Sequence, residues 1–239
     1  MENETFSPPV DSKNELSAVG QQRRKLFKIF GASTAILGVA AACNKSGNGL
    51  LNPGQSTTSV SLGSGDIGIL NYAYALEQLE AAFYTQVIAT PYTGMTADEK
   101  SGLTDIMYHE IAHREFFKTA LGTSAIAGLS VNFTSIDFTS RASVLGTAMA
   151  FEDLGVSAYN GVGHSITTAG AAYLTLAGKI VSVEARHAAY IRDLITYNSF
   201  ASGTIIDSNG MEVSMTPTQV LKVAGAYVTT TIDASQLPS

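Results

Sequence analysis

An all-α fold is predicted for this chain: a four-helix bundle with a long crossover between its second and third helices and a small C-terminal extension. Three observations predict it. The residues Glu110-Ile111-Ala112-His113 recur as Glu184-Ala185-Arg186-His187, each copy about midway along an apolar segment with helical spacing. Each copy follows another glutamate, Glu77 lying 33 residues before Glu110 and Glu152 lying 32 before Glu184. Helix-starting and helix-breaking residues punctuate the stretches between. A Glu and a His three positions apart project from one helix face and can hold a cation between them. Four helices offering Glu, Glu-x-x-His, Glu and Glu-x-x-His can hold two.

The elements follow in chain order. Residues 1–42 read as an export signal: Gln22-Arg23-Arg24-Lys25-Leu26-Phe27-Lys28 precedes an apolar run, 29–42, that is too short to span a bilayer. The paired arginines point to the twin-arginine route, while Gln22 and the order Leu26-Phe27 depart from its pattern and leave the general secretory route open. Ala40-Ala41-Ala42-Cys43 resembles a bacterial lipoprotein processing site, which implies lipidation of Cys43; Ala40 stands where leucine is usual. Cys43 is the only cysteine, so no disulfide forms within the chain. Residues 43–61, rich in Gly, Ser, Asn and Thr, read as a flexible tether. The expected location is the periplasmic or cell-surface side of a bacterial membrane, reached through the lipid anchor.

The bundle is expected over 62–200. Its first helix starts after Asp66 and runs to about Ala89, with Leu70, Tyr74, Glu77, Ala81, Tyr84 and Ile88 on one stripe and Pro91 and Gly94 ending it. Thr96 and Glu99 are spaced as a capping box for a second helix that reaches Leu121, with Gly122 just beyond. The connection is short, so these two helices are antiparallel neighbours. Residues 122–139, rich in Ser, Thr, Gly and β-branched residues, are long enough for the crossover. Ser140 caps a third helix to about Tyr159, and a glycine-rich turn over 160–163 leads to a fourth over about 171–197. In the extension, 201–239, Asn209-Gly210 suits a hairpin turn, and Thr216-Pro217 opens a short fifth helix over 218–228.

The two halves align beyond their motifs. Leu76-Glu77-Gln78-Leu79-Glu80-Ala81-Ala82-Phe83-Tyr84 sets Glu77 against Glu152, Leu79 against Leu154 and Tyr84 against Tyr159. Glu80 falls opposite Gly155, which favours Glu77 over Glu80 as the ligand and leaves Glu80 a supporting or surface role. Ile106/Ile180, Phe116/Tyr190, Lys118/Arg192 and Leu121/Ile195 match at the same offsets from Glu-x-x-His.

This pattern resembles the ferritin-like superfamily of di-iron and di-manganese carboxylate proteins, which includes bacterioferritins and rubrerythrins. The Leu-Glu-x-Leu-Glu-Ala-Ala-Phe-Tyr segment is similar to exported bacterial ferritin-like proteins that are themselves similar to plant desiccation-related proteins. The resemblance implies a dinuclear iron or manganese centre held by Glu77, Glu110, His113, Glu152, Glu184 and His187. It also implies that Glu110 and Glu184 bridge the ions and that Tyr84 and Tyr159 line the same core. Redox chemistry with O2 or peroxide is the expected activity; a non-catalytic, metal-stabilised protective module is the alternative.

Composition sets limits on partners. From Cys43 onward 9 Lys and Arg face 16 Asp and Glu, with no basic cluster, so nucleic acid is not expected as a partner. Nothing in the sequence excludes a homodimer. His109-Glu110-x-x-His113 also matches the zinc-peptidase motif, but Val183 replaces His109 in the second copy and no third ligand follows at helical spacing. His109 is then expected at the outer edge of the second helix, and His164 at the surface of the turn after the third.

Overall fold

The computed structural model describes residues 59–201 and 205–238. The export signal, Cys43 and the tether as far as residue 58 lie outside these residues. Among the described residues, no helix is long and apolar enough to cross a membrane.

Four long helices form the body: α1 (Gly65–Ala89), α2 (Ala97–Leu121), α3 (Arg141–Val162) and α4 (Ala171–Ile195). Their starts are set by side chains that satisfy free backbone amides. Thr96 accepts from the Glu99 amide at 3.1 Å while Glu99 accepts from the Thr96 amide at 2.9 Å, and Ser140 accepts from Ser143 at 3.3 Å. Asp66, in the first turn of α1, instead accepts from the Thr167 backbone (2.9 Å) and hydroxyl (2.6 Å), tying α1 to the α3–α4 connection. At the opposite end Arg141 donates to Glu99 and to the Leu194 carbonyl, both at 2.7 Å. α1 packs chiefly on α2, and α3 on α4. The chain is thus two helical hairpins joined by a crossover, the all-α bundle expected.

The crossover is fastened to α1. The Asn71 side chain donates to the Leu62 and Ser124 carbonyls and accepts from the Ile126 amide, at 3.0–3.1 Å, and Gln78 accepts from the Leu129 amide at 2.8 Å. Phe133 and Phe138 pack on Phe83, whose other face meets Phe151 of α3 with ring centroids 5.1 Å apart. These contacts bury α1 on nearly every side, including Leu70, Tyr72, Leu79, Phe83 and Val87. No regular strand forms in the crossover; its one extended pairing is an isolated bridge between Val131 and Val228.

Four parts of the chain differ from expectation. α3 runs through the anticipated glycine turn to Val162, and Gly161 within it is a close-approach residue: a Cβ there would lie 1.9 Å from the Met215 carbonyl oxygen. The turn comes after it, as two short 3-10 segments, Gly163–Ser165 and Thr168–Gly170. The fifth helix, α5 (Pro217–Ala224), stops before the expected Val228. A turn at Ala226 swings Tyr227 onto Phe151, 4.8 Å between ring centroids, and its carbonyl accepts from Asn132. Finally β1 (Ser59–Ser61) pairs in parallel with β2 (Thr231–Asp233), so the last three residues assigned to the tether are strand, with Val60 opposite Ile232. The anticipated hairpin is reduced to an isolated bridge, Ile206 to Glu212, around a turn in which Asp207 accepts from Asn209 and Met211 and Gly210 takes φ 79°.

Candidate metal centre

Each of the four long helices sends one or two polar side chains into the middle of the bundle. Glu77 comes from α1, Glu110 and His113 from α2, Glu152 from α3, and Glu184 and His187 from α4. All four carboxylates are fully buried, and His187 and His113 are nearly so. Nothing in a helix propensity places a charge there. The surrounding stripes of Leu76, Leu79, Ile106, Phe117, Phe151 and Ile180 bury one face of each helix, and the six residues share those faces.

Two groups of potential ligand atoms result, each within 4.8 Å: Glu77, Glu110, His113 and Glu184 in one, and Glu110, Glu152, Glu184 and His187 in the other. His113 Nδ1 lies 2.8 Å from Glu184, 3.4 Å from Glu77 and 3.5 Å from Glu110. His187 Nδ1 repeats this at 2.8 Å from Glu110, 3.3 Å from Glu184 and 3.4 Å from Glu152. Each histidine therefore meets the glutamate of its own helix and, more closely, that of its counterpart.

The tyrosines cross over. Tyr84 of α1 donates to Glu152 Oε1 of α3 at 2.5 Å, and Tyr159 of α3 donates to Glu77 Oε1 of α1. One oxygen of each outer glutamate is thereby occupied, and the other is left free. Glu77 Oε2, Glu152 Oε2, both oxygens of Glu110, both of Glu184, and Nδ1 of His113 and His187 are buried without a hydrogen-bond partner. The histidine nitrogens approach carboxylate oxygens closely, yet without the alignment of a hydrogen bond. Buried polar atoms are rarely left so. Hard and borderline donors aimed at common points fit metal ions, with carboxylate and imidazole suited to iron and manganese.

The electrostatics of the metal-free cluster agree. Burial pushes Glu152 up to about 8, and burial with the charges of Glu184 and Glu110 raises Glu77. Burial opposes charge on the histidines as well, but the carboxylates around them outweigh it and raise both to about 12. Glu110, although buried, is held down at about 2 by His113 and His187. Without a metal, protons must supply the neutralising charge.

Glu80 joins neither group. It is buried, not at the surface, with its carboxyl against Gly155, where a Cβ would stand 3.1 Å from Oε1; burial, and after it the charges of Glu110 and Glu152, raise its pKa well above the usual range. The glycine opposite Glu80 in the repeat is thus what makes room for it. His109 is also absent from both groups, so it does not share an ion position with His113 as a zinc-peptidase motif requires. It is no bystander at the helix edge either: its Nδ1 lies 2.9 Å from Nε2 of His187. Sequence reasoning missed this partnership, although the spacing His109 to His113 already put both rings on one side of α2. His164 is exposed, as expected.

The ferritin-like domain family's sequence model matches residues 65–197, the span from the start of α1 to just past α4. No curated protein matches the chain.

Proposed function

Because this chain belongs to the ferritin-like domain family and gathers two overlapping carboxylate and histidine groups in its core, we propose that it binds a dinuclear iron or manganese centre for redox chemistry with O2 or peroxide. One observation carries the reading. The unpartnered atoms divide evenly: each position receives one histidine nitrogen, one oxygen of an outer glutamate, and one oxygen from each of Glu110 and Glu184. Glu110 and Glu184, the two residues with both oxygens free, would bridge the ions, and Glu77 and Glu152, each with one oxygen held by a tyrosine, would be the outer ligands. With four protein ligands each, the ions would keep open positions for an oxidant.

When bound, such a centre would supply two electrons, one per ion, enough to reduce peroxide to two waters with the uptake of two protons. The protein's part is to hold that chemistry in a dry core and to orient the ligands. Tyr84 and Tyr159 fix the outer carboxylates, and their hydroxyls, driven above the ordinary tyrosine range first by burial and then by the glutamates they bond, stay protonated as donors. The twin arginines, the lone Cys43 and the tether composition support an exported, lipid-anchored setting for this domain.

Elemental analysis of protein from cells supplied with iron and manganese tests the reading, followed by peroxide and O2 consumption by the loaded protein. Two ions per chain with oxidant turnover are expected; no iron or manganese would overturn it. The buried charge also favours a second reading, a metal-stabilised module without turnover, since an ion that binds only the folded chain stabilises it in any case. Loaded protein that melts higher but consumes no oxidant would select that reading.

A further inference from the structure

The pseudo-twofold arrangement of ligands is broken at one residue that touches it. His109, one position before Glu110 on α2, brings its Nδ1 to 2.9 Å from Nε2 of His187 on α4. The two rings are 5.1 Å apart and 25° from parallel, and His113 lies alongside, 6.2 Å from His109. At the corresponding position before Glu184 the chain has Val183, which carries no group that pairs with a second histidine.

The hydrogen bond has a direction once His187 serves as a ligand. Its Nδ1 faces the carboxylates and presents a lone pair to an ion, so its proton resides on Nε2. His109 Nδ1 must then be the acceptor, with the His109 proton on its own Nε2. An imidazole whose outer N–H is hydrogen-bonded is fixed in tautomer and orientation and is a more basic ligand. Only one of the two ligand histidines receives this from His109.

We propose that His109 makes the two ion positions unequal: the position formed by Glu110, Glu152, Glu184 and His187 binds its ion more tightly than the position formed by Glu77, Glu110, Glu184 and His113. His109 acts as a positioning residue through His187 and touches no ion itself. The inference rests on the dinuclear reading above and adds an order of filling to it. The half with the histidine pair loads first and the half with Val183 second.

The test is a Mn²⁺ titration of the full-length, metal-stripped chain, followed by calorimetry and by electron paramagnetic resonance. In the wild type two binding steps are expected, separated by about 10–100-fold in affinity, the range that loss of an outer partner costs a metal site. The first equivalent gives the six-line signal of an isolated ion, and the second converts it to a coupled pair. His109→Val, which copies the other half, weakens the tighter step and merges the two. His109→Asn places an amide oxygen near the lost Nδ1 and restores the separation. His109 is exposed, so these variants leave the core packing intact. A single wild-type step for two ions, or an equal loss from both steps in His109→Val, would overturn the inference while leaving the dinuclear reading in place. A wild type that binds no Mn²⁺ would overturn both, and one that binds a single ion would remove the second position on which both depend.

Discussion

The two helical hairpins agree at the ligand positions and their tyrosines, and they part at Glu80 and Gly155 and at positions that face outward. Gln78 of α1 corresponds to Asp153 of α3, yet Gln78 holds the crossover backbone whereas Asp153 is bound by the guanidinium of Arg192, one of the two bonds being 2.8 Å. Arg192 is buried; its counterpart Lys118 is exposed, 4.0 Å from Glu115. Gln86 is exposed on α1, while Gly161, in the same place on α3, lies under the backbone of Met215. Inward, the glutamates, histidines and tyrosines of the two halves occupy equivalent places. The lesson is that the interior demands particular chemistry from four helical positions, whereas the outside of each half need only match whatever segment covers it: the crossover on α1, the C-terminal extension on α3.

The sharpest way to break this equivalence is to remove shared and unshared ligands. Glu110→Ala or Glu184→Ala takes a donor from both groups and should abolish metal content, whereas Glu77→Ala or Glu152→Ala should halve it. Elemental analysis of the four variants decides, and equal losses in all four would contradict the bridging assignment. Acidity should act on both halves together. In the metal-free chain the carboxyls of Glu77 and Glu152 are raised, so the stability they allow is complete below their unfolded value and is lost as pH rises, for Glu152 through about 8. The metal-free melting temperature should therefore fall between pH 5 and pH 9 on this account, roughly the interval from the unfolded carboxyl range to just past the folded one. Metal-loaded protein should not show that decline, because the ions hold the carboxylates ionised. Parallel curves for the two forms would count against the cluster as the metal site.

Smaller effects separate the coverings. Gly161→Ala should destabilise the fold by about 1–3 kcal/mol by forcing Met215 away. Gly146→Ala, in the same helix with open space around it, should stabilise by about 0.5–1 kcal/mol. Denaturant unfolding of the pair tests whether the extension is seated on α3. Least of all, Tyr84→Phe and Tyr159→Phe should each cost about 0.5–1.5 kcal/mol and by similar amounts, if the crossed hydrogen bonds are equivalent.

Helix positions were legible because their signals are local. Thr96 with Glu99, Ser140, and Thr216 with Pro217 mark three starts that the structure places within a residue or two. The glutamates and histidines stood out because charge inside an apolar helical stripe is costly and here occurs twice at the same spacing. What escaped notice depends on partners distant in sequence. Gly161 looks like a turn glycine until Met215 is seen against it, and no local pattern pairs β1 with β2. Tyr84 lies one heptad beyond Glu77 and reads as lining the same core, but nothing local shows that its hydroxyl reaches Glu152 on α3. His109 was misjudged for the same reason, since its partner is 78 residues away.

The small parallel sheet also has a mechanical meaning. β1 leads directly into α1, and β2 follows α5, with the Leu62 amide bonded to the Asp233 carbonyl where the strands end. A pull on Ser59 directed along β1 would load the interstrand bonds together in shear, whereas one directed across the strands would open them one by one. In the first case the two-strand clasp would share the load with α1, the helix that carries Glu77.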